Sequence, residues 1–325
     1  MRNPRHIALA LSIVAIWGVN FVAIGYALEG FPPIMLAALR FALTGLAAVI
    51  VPRPKEVRWY WAAGIAAFMF FGQYVLLFTG MAHGMPEGLS SLVLQCQAPF
   101  TVLAAALLLR ERTGLRQVLG ISVAIAGLLV IGAGRGGSVP LGSLLLVIGA
   151  GASWALGSIC NRKAGADNGF ALMVWASLYA APPLALASLV IDGPHKIGHA
   201  LGHVHLAPAL GLLYVVGLST FVGLGAWVVL ISKYPASSVA PYTLGVPPIG
   251  MLASAVVTHE RMNALELAGA AVVLVGLVAI VWPRRAAAAA AAVAVAGTPN
   301  PSVPTAKVEE PAAAAAVAPA AAAAR

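Results

Sequence analysis

Two apolar segments, Leu89–Leu109 and Leu115–Ile131, are joined by the charged turn Arg110-Glu111-Arg112. The same arrangement returns at Pro235–Ile280 around Glu260-Arg261. An offset of 149 residues lays one stretch on the other without a gap. Pro86 falls on Pro235, Pro99 on Pro248, Leu103 on Leu252, Arg112 on Arg261, Gly120 on Gly269, Gly127 on Gly276 and Ile131 on Ile280. Prolines and glycines that recur in register inside apolar runs point to two copies of one unit.

The solvent of that unit follows from composition. Apolar residues make up 61% of the chain and charged residues 9%, against roughly 25% charged in a soluble domain. A bilayer crossing needs about 20 apolar residues, and ten runs near that length are present. They are Ile7–Ala27, Pro33–Val51, Trp59–Ala82, Leu89–Leu109, Leu115–Ala133, Leu141–Cys160, Ala171–Ile191, Ala207–Ile231, Ser237–Thr258 and Ala264–Trp282. Lipid satisfies no backbone polar group, so the runs are expected to be helices. They are continuous rather than alternating, which argues against a membrane barrel. The first run is longer than a signal-peptide core and leads straight into further crossings, so it reads as an uncleaved helix.

Lysine and arginine set the orientation. With the N-terminus inside, inner segments carry Arg2, Arg5, Arg53, Lys55, Arg58, Arg110, Arg112, Arg116, Arg162, Lys163, Lys233, Arg284 and Arg285. Outer segments carry Arg135, Lys196 and Arg261. The net charge of +9 therefore reads as topology and contact with anionic lipid rather than a nucleic-acid footprint. The expected organisation is an all-α polytopic protein of two five-helix repeats, residues 1–135 and 136–285. An Ala/Pro-rich cytoplasmic tail, 286–325, lacks the bulky apolar residues of a core. Five is odd, so the second repeat is inverted relative to the first, a common build of secondary transporters with a midplane site.

Arg40 is the sharpest chemical signal. It interrupts Met35–Phe41 at membrane depth, where arginine costs at least ~2.5 kcal/mol and is functional by default. The crossings are read as free of acids, with Glu111 and Glu260 at helix ends. Arg40 then lacks a fixed counter-ion, and a substrate carboxylate could supply one. Bonding to backbone carbonyls, or snorkelling to an interface, is the plain alternative.

Neutral polar groups follow: Asn20, Gln73, Gln95, Gln97, Asn161, Tyr242 and Thr243. Amides can hold both the ammonium and the carboxylate of a zwitterion; interhelical hydrogen bonding is the plainer role. On a regular helix Gln95 and Gln97 point about 200° apart, so one at most faces a given cavity. Trp154 lies inside a crossing with Trp17, Trp175 and Trp227, and either lines a cavity or packs. Trp59, Trp61 and Trp282 suit an interfacial belt. Pro99, Pro241, Pro247 and Pro248 interrupt crossings four and nine, where each frees a carbonyl. Matching prolines in matching helices mark Pro99, Pro241 and Pro248 as candidate hinges.

Other patterns point away from metals and cofactors. His195, His199 and His203 have helical spacing that could bind zinc, but Gly198 and Gly202 weaken a helix there, so a solvated outer loop is expected. Gly132–Gly137 matches a dinucleotide fingerprint outside the strand-to-helix context it needs, and reads as a link. Cys96 and Cys160 are expected to pack. No Walker, HExxH or GxSxG motif appears, so no cofactor, metal or enzyme activity is assigned.

Several of these stretches together resemble a known family. They are Trp17-Gly18-Val19-Asn20-Phe21, Pro32-Pro33 through Leu39-Arg40-Phe41, Gly84-Met85-Pro86 through Gln95-Cys96-Gln97, Ser153-Trp154, Asn161-Arg162-Lys163 and Val239-Ala240-Pro241. From Arg5 to about Pro283 the chain resembles the EamA-type transporters of the drug/metabolite transporter superfamily, in particular their O-acetylserine and cysteine exporters. The resemblance implies a secondary exporter of amino acids and related small metabolites, working by alternating access in the bacterial inner membrane, with both termini cytoplasmic. It places Asn20, Arg40, Gln73, Gln95 and Gln97 near the pathway, and implies proton exchange that no buried acid in the sequence marks, so the coupling ion stays unassigned. Many relatives carry a lysine where this chain has Gly25-Tyr26. A carrier of drugs or other metabolites, and a non-transporting membrane sensor or metal-binding protein, are the competing readings.

Overall fold

A computed structural model describes residues 3–111, 113–134, 139–234, 236–260 and 262–281. The expectations for Arg112, the glycine link around Arg135, Pro235, Arg261, Trp282 and the tail fall outside the described residues.

The described chain is helical, without strands. The helices are α1, Pro4–Leu28; α2, Pro33–Gly45, running on as a 3₁₀ turn, Leu46–Val49; α3, Trp59–Ala82; α4, Glu87–Leu108; α5, Leu115–Gly134; α6, Leu141–Ala164; and α7, Gly169–Ile191. A short α8, Pro194–Gly202, precedes α9, which starts at Leu206 and ends at Lys233. Then come α10, Ala236–Val239 continuing to Val257, and α11, Ala264–Val281. Six of them (α1, α3, α4, α6, α7 and α9) are long and apolar enough to cross a membrane. Four shorter apolar helices occupy Pro33–Val49, Leu115–Ile131, Pro241–Val257 and Ala264–Ile280. The outside of the bundle is greasy: Leu107, Leu129, Leu186 and Val275 are all exposed, as side chains that meet lipid are.

Long-range bonds sort the connections into two ends. At the end carrying Glu29, the Asp192 carboxylate accepts the Met35 N–H at 2.8 Å, Ser143 Oγ donates to the His83 carbonyl, and Asn263 Nδ2 donates to the Gly134 carbonyl. Asp192 thereby serves the N-terminus of α2, whose N-cap, Pro32, has no side-chain cap of its own. At the end carrying Arg53, Trp175 Nε1 donates to the Val51 carbonyl and Arg162 pairs with Glu111.

The offset of 149 residues also relates details of the backbone. Helix α3 contains a π segment, Ile65–Gly72, and α9 contains one at Tyr214–Leu224. The offset that takes Glu111 to Glu260 takes Ile65 to Tyr214. Helix α4 tightens to 3₁₀ at Leu94–Cys96 and α10 at Ala240–Gly245, again in register and beside Pro99 and Pro247-Pro248, which leave carbonyls without their helical partners. Arg110 and His259, also in register, are the non-glycine residues with positive φ (54 and 55) among the described residues. Each turns the following glutamate N–H back onto its helix: Glu111 to the Ala105 carbonyl at 3.3 Å, Glu260 to the Ser254 carbonyl at 3.4 Å.

Helices α5 and α11 cross through glycines. A Cβ on Gly120 would sit 2.8 Å from the Gly276 carbonyl oxygen, and one on Gly127 would sit 2.9 Å from that of Gly269. Gly120 pairs with the repeat equivalent of Gly127, and Gly127 with that of Gly120. This is the self-complementary pattern of a two-fold contact, and it runs antiparallel.

Two expectations are corrected. The histidine segment is helix α8, not a loop. Pro194 opens it after Gly193 at φ 86, and Ala200 and Ile197 anchor it on the core, outweighing the glycines' propensity. The crossings also contain an acid. Glu266, 2% exposed, lies in the first turn of α11. It forms a capping box with Asn263: Asn263 N–H donates to its carboxylate at 2.8 Å and Glu266 N–H donates to Asn263 Oδ1 at 2.9 Å.

Candidate functional site

Four of the polar residues singled out in the sequence share one depth. Asn20 stands eight residues from Leu28, Arg40 seven from Pro33, Gln73 nine from Ala82 and Gln95 eight from Glu87. At 1.5 Å per residue that is roughly 10–14 Å below the Glu29 end. Gly25 of α1 lies against the Glu87 side chain of α4, so the ends of α1 and α4 are level with one another.

Arg40 is 6% exposed. Its Nη2 donates to Thr220 Oγ1 at 3.1 Å, and Thr220 Oγ1 in turn donates to the Val215 carbonyl, five residues back. A hydroxyl reaching i−5 is a product of the π segment in α9. The guanidinium carbon lies 4.5 Å from the Tyr74 ring centroid and 5.7 Å from that of Phe41. Phe41 stacks on Phe70 and meets Tyr74 edge-on, and Tyr74 meets Phe78. A desolvated cation over an aromatic face gains about 2 kcal/mol, comparable with the cost of insertion. Among the described residues, Nε and Nη1 of Arg40 have no hydrogen-bond partner.

The same layer holds unsatisfied acceptors. Asn20 is 9% exposed and Gln73 3% exposed, and neither Asn20 Oδ1 nor Gln73 Oε1 has a partner among the described residues. Leaving a buried polar atom unmade costs about 1–3 kcal/mol. The layer thus combines free cationic donors with free amide acceptors.

The two glutamines depart from expectation. Gln97 Nε2 donates to Gln95 Oε1 at 3.4 Å, so they are neighbours rather than opposed. The 3₁₀ turn at Leu94–Cys96 advances about 120° per residue, which narrows their separation from roughly 160° to roughly 120° the short way round. Both are half-buried, Pro99 is buried, Pro241 is half-buried and Pro248 is exposed. Trp154 and Tyr242 are half-buried against the main core, and Asn161 is exposed at the end of α6.

Trp17 Nε1 donates to the Ser219 carbonyl at 3.2 Å, and Trp17 meets Trp227 at 5.3 Å. Arg40 and Trp17 therefore reach consecutive residues of the α9 π segment. Thr220 and Tyr74 were missed in the sequence; the polar pair Ser219-Thr220 inside an otherwise apolar crossing was the signal for the first. Cys96 is buried, with Sγ 3.7 Å from the Ile148 carbonyl, and Cys160 is half-buried; both are free. His199 and His203 stack at 4.5 Å. Among the described residues no three His, Cys, Asp or Glu side chains converge as metal ligands.

The sequence pattern of the EamA-like transporter family matches residues 5–133 and again 141–282. The chain is 37% identical over 284 residues to a probable amino-acid metabolite efflux pump of Escherichia coli K12, across 85% of this chain and 95% of that protein. It is 26% identical over 284 residues to a probable terminal-alkyne amino-acid exporter of Streptantibioticus cattleyicolor, covering 84% and 92%. A solved crystal structure shares the fold with a TM-score of 0.56 and 19% identity, covering 85% of this chain and 95% of its own.

Proposed function

The chain belongs to the EamA-like transporter family, and from that premise we propose that it exports zwitterionic, amino-acid-like metabolites such as O-acetylserine or cysteine across the bacterial inner membrane. Ten crossings form two inverted repeats, residues 1–135 and 136–285, with both termini cytoplasmic and the Glu29 end outside. The distribution of Lys and Arg supports that orientation, and the matched π segments, 3₁₀ turns and glycine crossing support the repeat.

The observation that carries the substrate class is the layer of unmatched groups. Nε and Nη1 of Arg40 await an anion, while Asn20 Oδ1 and Gln73 Oε1 at the same depth await a donor. A substrate carboxylate on Arg40, with its ammonium on the amide oxygens, would satisfy both halves. Gln95, Gln97, Trp154 and Tyr242 complete the proposed lining, and Pro99, Pro241 and Pro248 are its proposed hinges. A cationic-drug carrier would need a membrane acid for its cargo, and the buried Glu266 is engaged in capping Asn263.

Efflux of labelled O-acetylserine and cysteine from loaded cells tests the reading. Export should exceed that of uncharged analogues lacking the carboxylate; equal export of both would sink the zwitterion assignment. Thr220→Val removes the acceptor that holds Arg40. A hydrogen bond to a charge contributes about 1.5–3 kcal/mol, so the half-saturating substrate concentration is expected to rise roughly tenfold or more, with Thr220→Ser near wild type.

A further inference from the structure

The two ends of the bundle differ at equivalent residues. At the Glu29 end, Glu260 of the second repeat accepts the Gly88 N–H of the first at 2.9 Å and also accepts from Ser254 Oγ. Around this bond the Glu87–Val93 part of α4 packs along Val246–Val257 of α10. A Cβ on Gly250 would meet Ser91 Oγ at 2.7 Å. At the Arg53 end the equivalent bond is not made among the described residues. Gln97–Leu108 of α4 packs on α6, and among the described residues makes at most marginal contact with α10. Glu111, the repeat equivalent of Glu260, is held instead by Arg162 at 2.5 Å, in a pair whose side chains are 49% and 47% exposed. An ion pair that open to solvent is weak.

In an inverted repeat, the opposite-facing state is the same structure with the two copies exchanging roles. Swapping roles turns the Glu260–Gly88 bond into one between Glu111 and the backbone N–H of Ser237. We propose that Glu260 and Glu111 are the paired gate residues of this carrier: Glu260 on Gly88 closes the Glu29 end, and Glu111 leaves Arg162 for the start of α10 to close the Arg53 end. Each glutamate is aimed by its own positive-φ residue, His259 or Arg110, and each bond serves a helix N-terminus, where a carboxylate is favoured. This inference rests on the alternating-access reading above, though not on the identity of the substrate.

The test uses the purified full chain in lipid nanodiscs with Cys96→Ser and Cys160→Ser. One reporter cysteine is then added, Ser91→Cys in the closed contact or Val102→Cys in the open half of α4, and its alkylation by N-ethylmaleimide is timed. Glu260→Ala should speed Ser91→Cys several-fold and slow Val102→Cys. Arg162→Ala, a surface change that frees Glu111, should likewise speed Ser91→Cys and slow Val102→Cys. Glu111→Ala should slow Ser91→Cys. Reporters that accelerate together, or that ignore all three substitutions, would overturn the gate. No substrate enters the assay, so reciprocal reporters in a protein that fails the export test would retain the gate and remove the substrate assignment.

Discussion

Arg40→Gln is expected to lower export at least tenfold while changing the stability of the protein little. The guanidinium is buried, bonded through Nη2 alone, with two nitrogens unsatisfied. Removing a charge from membrane depth lifts an insertion cost of at least ~2.5 kcal/mol. Against that stand the lost contacts to Thr220 and Tyr74. The folded protein therefore loses little, whereas the proposed substrate carboxylate loses its charge partner. Arg40→Lys should recover only part of the activity, because an ammonium cannot keep both the planar contact on Tyr74 and the bond to Thr220. The measurements are efflux from loaded cells and thermal unfolding in detergent. Wild-type export by Arg40→Gln would remove Arg40 from the mechanism, and a collapse in stability would make it structural.

Gly127→Val should be the most damaging of the small substitutions for stability. A Cβ there would stand 2.7 Å from the Val273 backbone nitrogen and 2.9 Å from the Gly269 carbonyl oxygen. Backbone cannot rotate aside as a side chain can, so α5 and α11 must separate. Overpacking of this kind costs about 1–3 kcal/mol, and here it also opens the glycine-mediated backbone approach of α5 to α11. Gly276→Val, on the same crossing, should behave alike, since its Cβ would meet the Ala124 nitrogen at 2.6 Å. Gly142→Ala, with no atom of the described residues within 4 Å of the added carbon, is the control and should be neutral. Thermal unfolding of the three variants decides the matter; equal midpoints would show that the crossing has more room than its backbone spacing allows.

The membrane class and the positions of the helices were readable in the residues alone, because lipid imposes one rule on every crossing: apolar outside, backbone bonded within the segment. The internal recurrence of residues stands out for a related reason. Gly120, Gly127 and Pro99 recur at Gly269, Gly276 and Pro248 because close helix approach and proline-broken turns tolerate few other residues. The composition of the Asn20, Arg40 and Gln73 layer was also legible, since a polar group in an apolar run stands out.

What the tertiary structure alone decided were the partners. Arg40 lies on Tyr74 and Thr220, and Gln95 bonds Gln97, because π and 3₁₀ segments rotate side chains away from the regular helical spacing assumed from sequence. Glu266 is absorbed by a cap, and the histidine segment coils into α8 because its apolar face found the core. The different fates of Glu111 and Glu260 lay furthest out of reach. Equivalent residues carry equivalent sequence, and only the packing of α4 against α10 at one end, and against α6 at the other, distinguishes them.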